Sequence, residues 1–187
     1  MTVSEQKKHL RAKVRSMERE LDPAYKKTAD TRIMERVCAL PEYRSAETVF
    51  CFVGTDREID TVALLEDILA QGKRLLVPLC TNPGIMELRE ITSLSQLETG
   101  AYGILEPKQD TTKVNKSEVD FAVIPCVSCD RAGHRLGQGG GYYDRFFESV
   151  TIPSALVCRE ALLQEYIPAE EHDVVFRKVI SETAVYG

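Results

Sequence analysis

Residues 133–145, GHRLGQGGGYYDR, limit the possible folds of this chain more than any other segment. They contain five of its eleven glycines. Residues 119–127, just before them, form an apolar run that predicts a buried strand, and the aromatic and apolar spacing of residues 142–150 predicts a short helix. Glycines let the backbone turn sharply and bring N–H groups close to a ligand, and a helix start adds unpaired donors. The order strand, glycine loop, helix therefore predicts an anion-binding loop.

The spacing of the glycines excludes two common nucleotide-binding loops. The segment contains neither the G-x-G-x-x-G of dinucleotide folds nor the Gly-Lys-Ser/Thr of a Walker A loop. It has instead an arginine at each end, Arg135 and Arg145, and a carboxylate, Asp144, just after the glycines. Phosphate oxygens require donors and cations, and the magnesium of a nucleotide requires carboxylates. The alternative is a flexible surface turn without a ligand, which so many charged and aromatic neighbours disfavour.

Length and composition predict one globular domain spanning residues 1–187. The apolar content of 43% and charged content of 28% are ordinary for such a domain. The net charge of −5 argues against a general nucleic-acid binder, whose surface is usually basic. No apolar run reaches the roughly 20 residues of a membrane span, and residues 1–15 lack the apolar core of a secretory signal. We therefore expect a cytoplasmic protein with no nucleic-acid or membrane partner.

The six cysteines allow two interpretations. Four of them lie in apolar segments, where small buried hydrophobic residues are expected: Cys38, Cys51, Cys80 and Cys158. The other two, Cys126 and Cys129, form a CxxC, which is typical of a redox pair or of half a zinc site. The chain has no second CxxC and no histidine pair at zinc-finger spacing. We favour reduced, structural thiols over a metal or redox site and leave the role of the CxxC pair open.

A first helix is predicted over residues 4–21 by two stripes at helical spacing. The apolar stripe is Leu10, Val14, Met17 and Leu21. The cationic stripe is Lys7, Arg11, Arg15 and Arg19. A cationic stripe is usually a solvated helix face, and this is our interpretation of Arg15 and Arg19.

The following elements predict an α/β fold. Asp22 and Pro23 begin a second helix that should end before Pro41. Residues 48–53 form a strand, residues 61–71 a helix capped by Gly72, and residues 74–80 another strand. Strand, helix and strand in this order imply a parallel sheet, whose ligands bind beyond the carboxyl ends of the strands. Glu58 and the glycine loop both fall at such ends.

The rest of the chain is less informative. Residues 82–84 predict a turn, 86–91 and 154–159 predict strands, and 174–180 alternate like a strand. Residues 111–118 are polar and predict an exposed loop. Together the elements predict a single three-layer α/β domain with a mostly parallel central sheet flanked by helices.

The segment RLGQGGGYYDR, residues 135–145, closely resembles the signature of the 5-formyltetrahydrofolate cyclo-ligase family, also called methenyltetrahydrofolate synthetases. Weaker likenesses extend over nearly the whole chain. Lys7-x-x-Leu10-Arg11 resembles a basic element that reaches the phosphates of ATP, with Lys8 as a one-residue alternative to Lys7. Residues 58–61, EIDT, resemble a folate-contacting motif, and residues 102–107 resemble a segment that crosses the site.

The resemblance implies ATP- and magnesium-dependent cyclisation of 5-formyltetrahydrofolate to 5,10-methenyltetrahydrofolate, with release of ADP and phosphate after phosphorylation of the formyl oxygen. It implies a sugar-phosphate isomerase/CoA transferase-like fold, and reduced folate and ATP as the ligands of an expected monomer. The implied ATP contacts are Lys7, Lys8, Arg11, Arg135, Leu136, Gly137, Gln138, Gly139, Gly140, Gly141, Tyr142 and Tyr143. The implied folate contacts are Val53, Glu58, Gln138, Gly139, Gly140, Gly141 and Tyr142. Arg135, Tyr143 and Arg145 are implied to be catalytic, and Asp144 and Asp173 to hold Mg²⁺.

Two details qualify the resemblance. Some family members carry basic residues inside the loop where this chain has Gln138 and Gly140, so more of the positive charge must come from flanking arginines and from the first helix. His172 is interpreted as structural, because magnesium prefers oxygen ligands.

Two other functions stay open. One is a non-catalytic α/β module that senses a nucleotide or a phosphorylated metabolite. The other is an isomerase or transferase with the same fold. A sensor has less need of two carboxylates arranged for a metal, so magnesium-dependent ATP turnover would favour the enzyme.

Overall fold

The computed structural model describes residues 1–100 and 103–187. Its helices are α1 (Val3–Glu20), α2 (Pro23–Ala39), α3 (Pro41–Ser45), α4 (Val62–Ala70) and α5 (Tyr142–Phe147). Its strands are β1 (Thr48–Cys51), β2 (Arg74–Asn82), β3 (Ile85–Ile91), β4 (Leu97–Thr99), β5 (Leu105–Pro107), β6 (Thr112–Val114), β7 (Phe121–Ile124), β8 (Ser128–Cys129), β9 (Arg135–Leu136), β10 (Ser154–Val157), β11 (Lys178–Ile180) and β12 (Val185–Tyr186).

The helix ends follow local sequence signals. Thr2 and Glu5 form a capping box at the start of α1. The side chain of Asp22 accepts the Ala24 N–H at 2.7 Å and caps α2, as predicted. Gly72, with φ of 71°, follows α4 and donates its N–H to the carbonyl oxygen of Leu69. The predicted bounds of these three helices are confirmed to within two residues.

Eight strands form the central sheet in the order β12-β11-β10-β7-β1-β2-β3-β6. The five strands β11, β10, β7, β1 and β2 run parallel, and the pairs at the two edges, β2–β3, β3–β6 and β11–β12, are antiparallel. The pairing of β1 with β2 across α4 confirms the predicted βαβ unit. Within the residues described, none of the helices combines the length and apolarity that a bilayer span requires.

Helices cover both faces of this sheet and form two separate cores. On one face, α2, α3 and α4 pack against side chains such as Val49 and Phe121. On the other face, α1 and α5 pack Val14 and Phe146 against neighbouring positions such as Phe50. Because consecutive strand residues point to opposite faces, strands buried on both sides are continuously apolar. The predicted three-layer α/β architecture with a mostly parallel sheet is confirmed.

Three local predictions were wrong. Thr112–Val114 is not loop but the edge strand β6, paired with β3. Its polar residues face solvent and only Val114 is buried, so the sequence carries no apolar period there. In the segment 174–180 only Lys178–Ile180 is a strand, and Val175 is 51% exposed. Cys80 is exposed, because the last residues of β2 extend beyond the core.

A buried ion pair joins α2 to the carboxyl end of the sheet. Arg159, just after β10, donates to both carboxylate oxygens of Asp30 in α2 at 2.7 and 2.8 Å, and the two residues are 3% and 6% exposed. Arg159 also donates to the carbonyl oxygen of Glu58 at 2.8 Å, and Asp30 accepts the Asp60 N–H at 3.0 Å. The pair therefore fixes the loop that follows β1.

We predict that Asp30→Ala lowers the free energy of unfolding by about 3–5 kcal/mol, because a buried guanidinium loses its counter-ion. The matched control is Glu35→Ala, an exposed carboxylate on the same helix, which should change stability by at most about 0.5 kcal/mol. Urea unfolding at neutral pH measures both. Equal losses in the two variants would contradict the importance of the ion pair.

Candidate active site

A cavity of about 670 Å³ opens at the carboxyl ends of the central strands. Strands β1 and β7 are neighbours, and the chain continues from β1 to β2 on one side of this pair and from β7 to β10 on the other side. In α/β sheets this arrangement creates a crevice beyond the strand ends. Phe52 and Val53, which follow β1, and Pro125, which follows β7, line the cavity.

The cavity has apolar and charged parts of different origin. The apolar side chains come mainly from strands and their ends: Phe52, Val53, Pro78, Met86, Ile104 and Leu105. The charged side chains come mainly from α1, the glycine loop and the segment before β11: Lys7, Arg11, Glu58, Arg135, Asp144, Glu170, His172 and Asp173. Such a combination suits a ligand with an aromatic or aliphatic body and a phosphate group.

The glycine loop links β9 to α5 and lines the cavity with residues 137–141. Gly139 and Gly141 have φ of 101° and 64°, which side-chain-bearing residues rarely adopt. A Cβ atom on Gly140 would lie 2.7 Å from the ring of Tyr142. In the described part of the chain, no protein group accepts the N–H groups of residues 138–141. The loop thus offers backbone donors to a ligand, as the sequence predicted.

Helix α1 is held against this loop by its cationic stripe. Arg11 Nε donates to the carbonyl oxygen of Gly137 at 2.7 Å. Arg15 is exposed, as predicted, and it also donates to the side-chain oxygen of Gln138 at 2.6 Å. Burial, followed by the charges of Arg15 and Arg135, lowers the pKa of Arg11. Positive charge therefore concentrates where α1 meets the loop.

Arg135 is fixed in position by two contacts. Its Nε donates to the carbonyl oxygen of Pro125 at 2.7 Å, and its guanidinium lies 4.5 Å from the ring centre of Tyr143. The Tyr143 ring stacks on Phe50 with 6.3 Å between ring centres. Burial raises the pKa of the Tyr143 hydroxyl, so this side chain is a neutral platform for Arg135.

Acidic side chains enter the cavity from two segments. Asp173 forms an ion pair with Lys7 and accepts the Glu170 N–H at 2.6 Å. Burial alone would raise the pKa of Asp173, but the contacts with Lys7 and the Glu170 N–H outweigh it and lower that pKa. Ligating atoms of Glu170, His172 and Asp173 lie within 4.8 Å of one another, and Asp144 lines the same cavity. Carboxylate oxygens are suitable ligands for a hard cation such as Mg²⁺.

Glu58 is the carboxylate of the loop between β1 and α4. One of its oxygens accepts the Thr55 N–H at 3.2 Å, and burial raises its pKa. The base of the loop is fixed by Thr61, whose hydroxyl donates to the Phe52 carbonyl and accepts the Gly54 N–H, both at 3.0 Å. Glu58 is thus a half-buried carboxylate held by the Thr55 N–H, and it forms no ion pair within residues 1–100 and 103–187.

The sequence profile of the 5-formyltetrahydrofolate cyclo-ligase family matches residues 3–182. This chain belongs to that family. The 5-formyltetrahydrofolate cyclo-ligase of Escherichia coli K12 is 30% identical over 180 residues, covering 92% of this chain and 98% of the relative. The mouse 5-formyltetrahydrofolate cyclo-ligase is 25% identical over 196 residues, covering 97% and 96%.

Solved structures of methenyltetrahydrofolate synthetases have the same fold. The 5,10-methenyltetrahydrofolate synthetase of Aquifex aeolicus superimposes with a TM-score of 0.83 at 28% identity, covering 96% of this chain and 91% of that one. The corresponding synthetase of Mycoplasma pneumoniae gives a TM-score of 0.76 at 19% identity, covering 94% and 98%.

The structure gathers most of the residues that the family resemblance indicated around one cavity. These are Lys7, Arg11, Val53, Glu58, Arg135, Gly137, Gln138, Gly139, Gly140, Gly141, Tyr142, Tyr143, Asp144 and Asp173. In the segment 102–107, Ile104, Leu105 and Glu106 also line it, whereas Tyr102 lies outside the described residues.

Three of the indicated residues are not in the cavity lining. Lys8 is exposed on α1, and the Leu136 side chain is fully buried. Arg145 donates to the carbonyl oxygens of Gly84, at 3.0 Å, and Gly140. Its guanidinium therefore supports the glycine loop from outside the cavity.

Sequence reasoning missed much of the apolar wall. Pro78, Met86 and Leu105 are single side chains on three different strands, and no spacing in the sequence marks them as neighbours. The buried pair of Asp30 and Arg159, which fixes the Glu58 loop, was missed for the same reason. An arginine directly after a buried strand is the only local signal that could have indicated it.

We predict that Glu58→Gln stabilises the protein at neutral pH but not in acid. Because burial raises the folded-state pKa of Glu58, the folded chain binds more protons than the unfolded chain as pH rises above about 4, and stability falls. Glutamine is neutral, so its burial lacks the free-energy cost of burying a charged carboxylate, and it can still accept the Thr55 N–H. The thermal midpoint of Glu58→Gln should thus exceed that of the wild type at pH 7, with the difference vanishing below about pH 4.

The control for this measurement is Glu66→Gln, which changes an exposed carboxylate on α4. Its thermal midpoint should follow that of the wild type at every pH. A Glu58→Gln difference that does not depend on pH would contradict the prediction.

Proposed function

We propose that this chain catalyses the ATP- and magnesium-dependent cyclisation of 5-formyltetrahydrofolate to 5,10-methenyltetrahydrofolate, with release of ADP and phosphate. The observation that carries the proposal is the composition of one cavity. It combines a glycine loop, whose N–H groups at residues 138–141 have no acceptor within the described part of the chain, with nearby cations, an apolar wall and a half-buried carboxylate, Glu58. The glycine loop and its cations suit the phosphates of a nucleotide, and the apolar wall and the carboxylate suit a reduced pterin. The relatives of this chain are named for the same reaction.

The chemistry explains why ATP is required. A formamide carbonyl is a poor electrophile, and its oxygen is a poor leaving group. In the proposed reaction the formyl oxygen attacks the γ-phosphorus, and the bond between that phosphorus and ADP breaks. Nitrogen 10 then bonds to the formyl carbon and loses its proton, after which the carbon–oxygen bond breaks and phosphate leaves. Such a transfer depends mainly on positioning and on neutralisation of charge.

We assign the phosphate contacts to the cations and backbone donors of the cavity. Arg135 would neutralise charge on the transferring phosphoryl group, because it lines the cavity and its contacts with Pro125 and Tyr143 fix its guanidinium there. Arg11 and Lys7 would contact the other phosphates. The N–H groups of residues 138–141 would bind phosphate oxygens directly.

We assign the reduced folate to the apolar wall and Glu58. Pterin N–H groups would donate to the Glu58 carboxylate and restore the solvation that this group loses through burial. Val53, Gln138 and Tyr142 line the same cavity and would contact the pterin or its side chain.

Asp144 and Asp173 would hold the magnesium ion. Their carboxylate oxygens fit a hard cation, and the lowered pKa of Asp173 keeps that side chain ionised at neutral pH. When bound, Mg²⁺ would supply additional neutralisation of the phosphate charges. Lys7, now paired with Asp173, would then be available to the nucleotide.

The proposal is tested by near-ultraviolet absorbance, where methenyltetrahydrofolate absorbs and the formyl substrate does not. The signal should rise only when 5-formyltetrahydrofolate, ATP and Mg²⁺ are all present, and it should be lost in Asp144→Asn. Tight ATP binding by folded protein without turnover would favour a nucleotide sensor instead. A monomeric state and a cytoplasmic location stay predictions from the sequence.

We predict that Arg135→Ala lowers kcat/KM by about 10²–10³, because a preorganised charge on the phosphoryl group is lost. The control is Arg131→Ala, which removes a 66% exposed guanidinium that pairs with Glu160 outside the cavity. The absorbance assay should give near wild-type rates for this control, with circular dichroism verifying that both variants fold. Equal rates for both variants would contradict the role of Arg135.

We predict that Gly139→Ala reduces turnover on the order of 10²-fold through displacement of the loop. Alanine at φ of 101° is strained and should also lower stability by about 1–3 kcal/mol. Gly72→Ala is the matched control, since Gly72 has φ of 71° with open space around a Cβ, far from the loop. We expect Gly139→Ala and Gly72→Ala to lose similar amounts of stability, and only Gly139→Ala to lose turnover. Equal turnover in the two variants would contradict the role of the glycine loop in catalysis.

A further inference from the structure

Three thiols meet beside the cavity. The Sγ atoms of Cys126, Cys129 and Cys158 all lie within 4.8 Å of one another. Cys126 follows β7, Cys129 lies in β8, and Cys158 follows β10. Because β7 and β10 are parallel neighbours, the residues after them emerge side by side at the same sheet edge. Tertiary structure thus adds a third cysteine to the CxxC pair that the sequence shows.

The spacing of the three sulfur atoms suits one metal ion. A tetrahedral zinc ion with bonds of about 2.3 Å holds its sulfur ligands about 3.8 Å apart, so only a small contraction is needed. Cys129 and Cys158 are 0% and 3% exposed, while Cys126 is half-buried and lines the large cavity. An ion can therefore reach the cluster through the cavity, at the Cys126 side.

A fourth coordination position is available next to the cluster. A separate cavity of about 60 Å³ is lined by Cys126, Cys158, Glu58 and Arg159, among others. It is large enough for a water molecule and has polar groups to bind one.

We propose that Cys126, Cys129 and Cys158 form a binding site for a thiophilic divalent cation of the zinc class, with its fourth position facing the small cavity. Binding replaces three S–H bonds with three metal–sulfur bonds and releases three protons to solvent, without an oxidant. The site is distinct from the carboxylates proposed to hold Mg²⁺, because sulfur ligands select soft or borderline ions and carboxylates select hard ones. It does not depend on the proposed reaction.

The test is a titration of reduced, metal-free protein with Cd²⁺, followed by the ultraviolet absorption of cadmium–thiolate bonds. Six thiols, counted beforehand on a denatured sample, establish that no disulfide is present. We expect one Cd²⁺ per chain with thiolate absorption in the wild type, and loss of that absorption in Cys129→Ser and in Cys158→Ser. Cys38→Ser is the control, because Cys38 is a half-buried thiol beside Asp67 on the other face of the sheet, and it should behave like the wild type.

A second measurement uses only the wild-type protein, so its result does not depend on whether the serine variants fold. Cadmium NMR of the loaded wild-type protein distinguishes sulfur-rich from oxygen-rich coordination without any substitution. A sulfur-rich signal supports the site. Absence of bound cadmium, an oxygen-rich signal, or unchanged thiolate absorption in a folded Cys158→Ser variant would overturn it.

Discussion

The parallel pairing of β1 with β7 determines where the functional loops of this chain begin. Val49, Phe50 and Cys51 pair with Phe121, Ala122 and Val123, and all six side chains are fully buried. A shift by one residue would exchange the side chains of the two cores, so the register is fixed from both faces. Because parallel strands end at the same edge, the Glu58 loop after β1 starts beside the segment after β7, which carries Cys126 and leads through β8 and β9 to the glycine loop.

Helix α1 completes a site that the sheet alone could not supply. A glycine loop has almost no side chains, so the positive charge that anion binding needs must come from other segments. Helix α1 supplies it, with one cationic side chain in each turn. Lys7 pairs with Asp173, Arg11 with the Gly137 carbonyl, and Arg15 with the Gln138 side chain. These contacts hold α1 against the loop. In the proposed reaction, phosphate oxygens would replace some of these partners at little cost in reorganisation.

Local patterns predicted much of the fold, and contacts between distant segments account for what they missed. The helices, the βαβ unit and the glycine loop follow from periodicity, caps and glycine spacing within short windows. The position of Arg145 depends on the turn at Gly84. The position of Glu58 depends on Arg159 and Asp30, and these three residues come from three separate segments. No local pattern in the sequence predicts such contacts between distant segments. The family signature therefore indicated the residues of the site better than it indicated their individual contacts.

The two arginines that hold the glycine loop also orient its backbone. Arg11 binds the carbonyl oxygen of Gly137, and Arg145 binds that of Gly140. In a trans peptide the carbonyl and the following N–H point in opposite directions. The N–H groups of Gln138 and Gly141 are therefore turned away from these guanidinium groups, and both residues line the cavity. An arginine outside the cavity can thus contribute to anion binding without contacting the anion, because it fixes the direction of the donors that do.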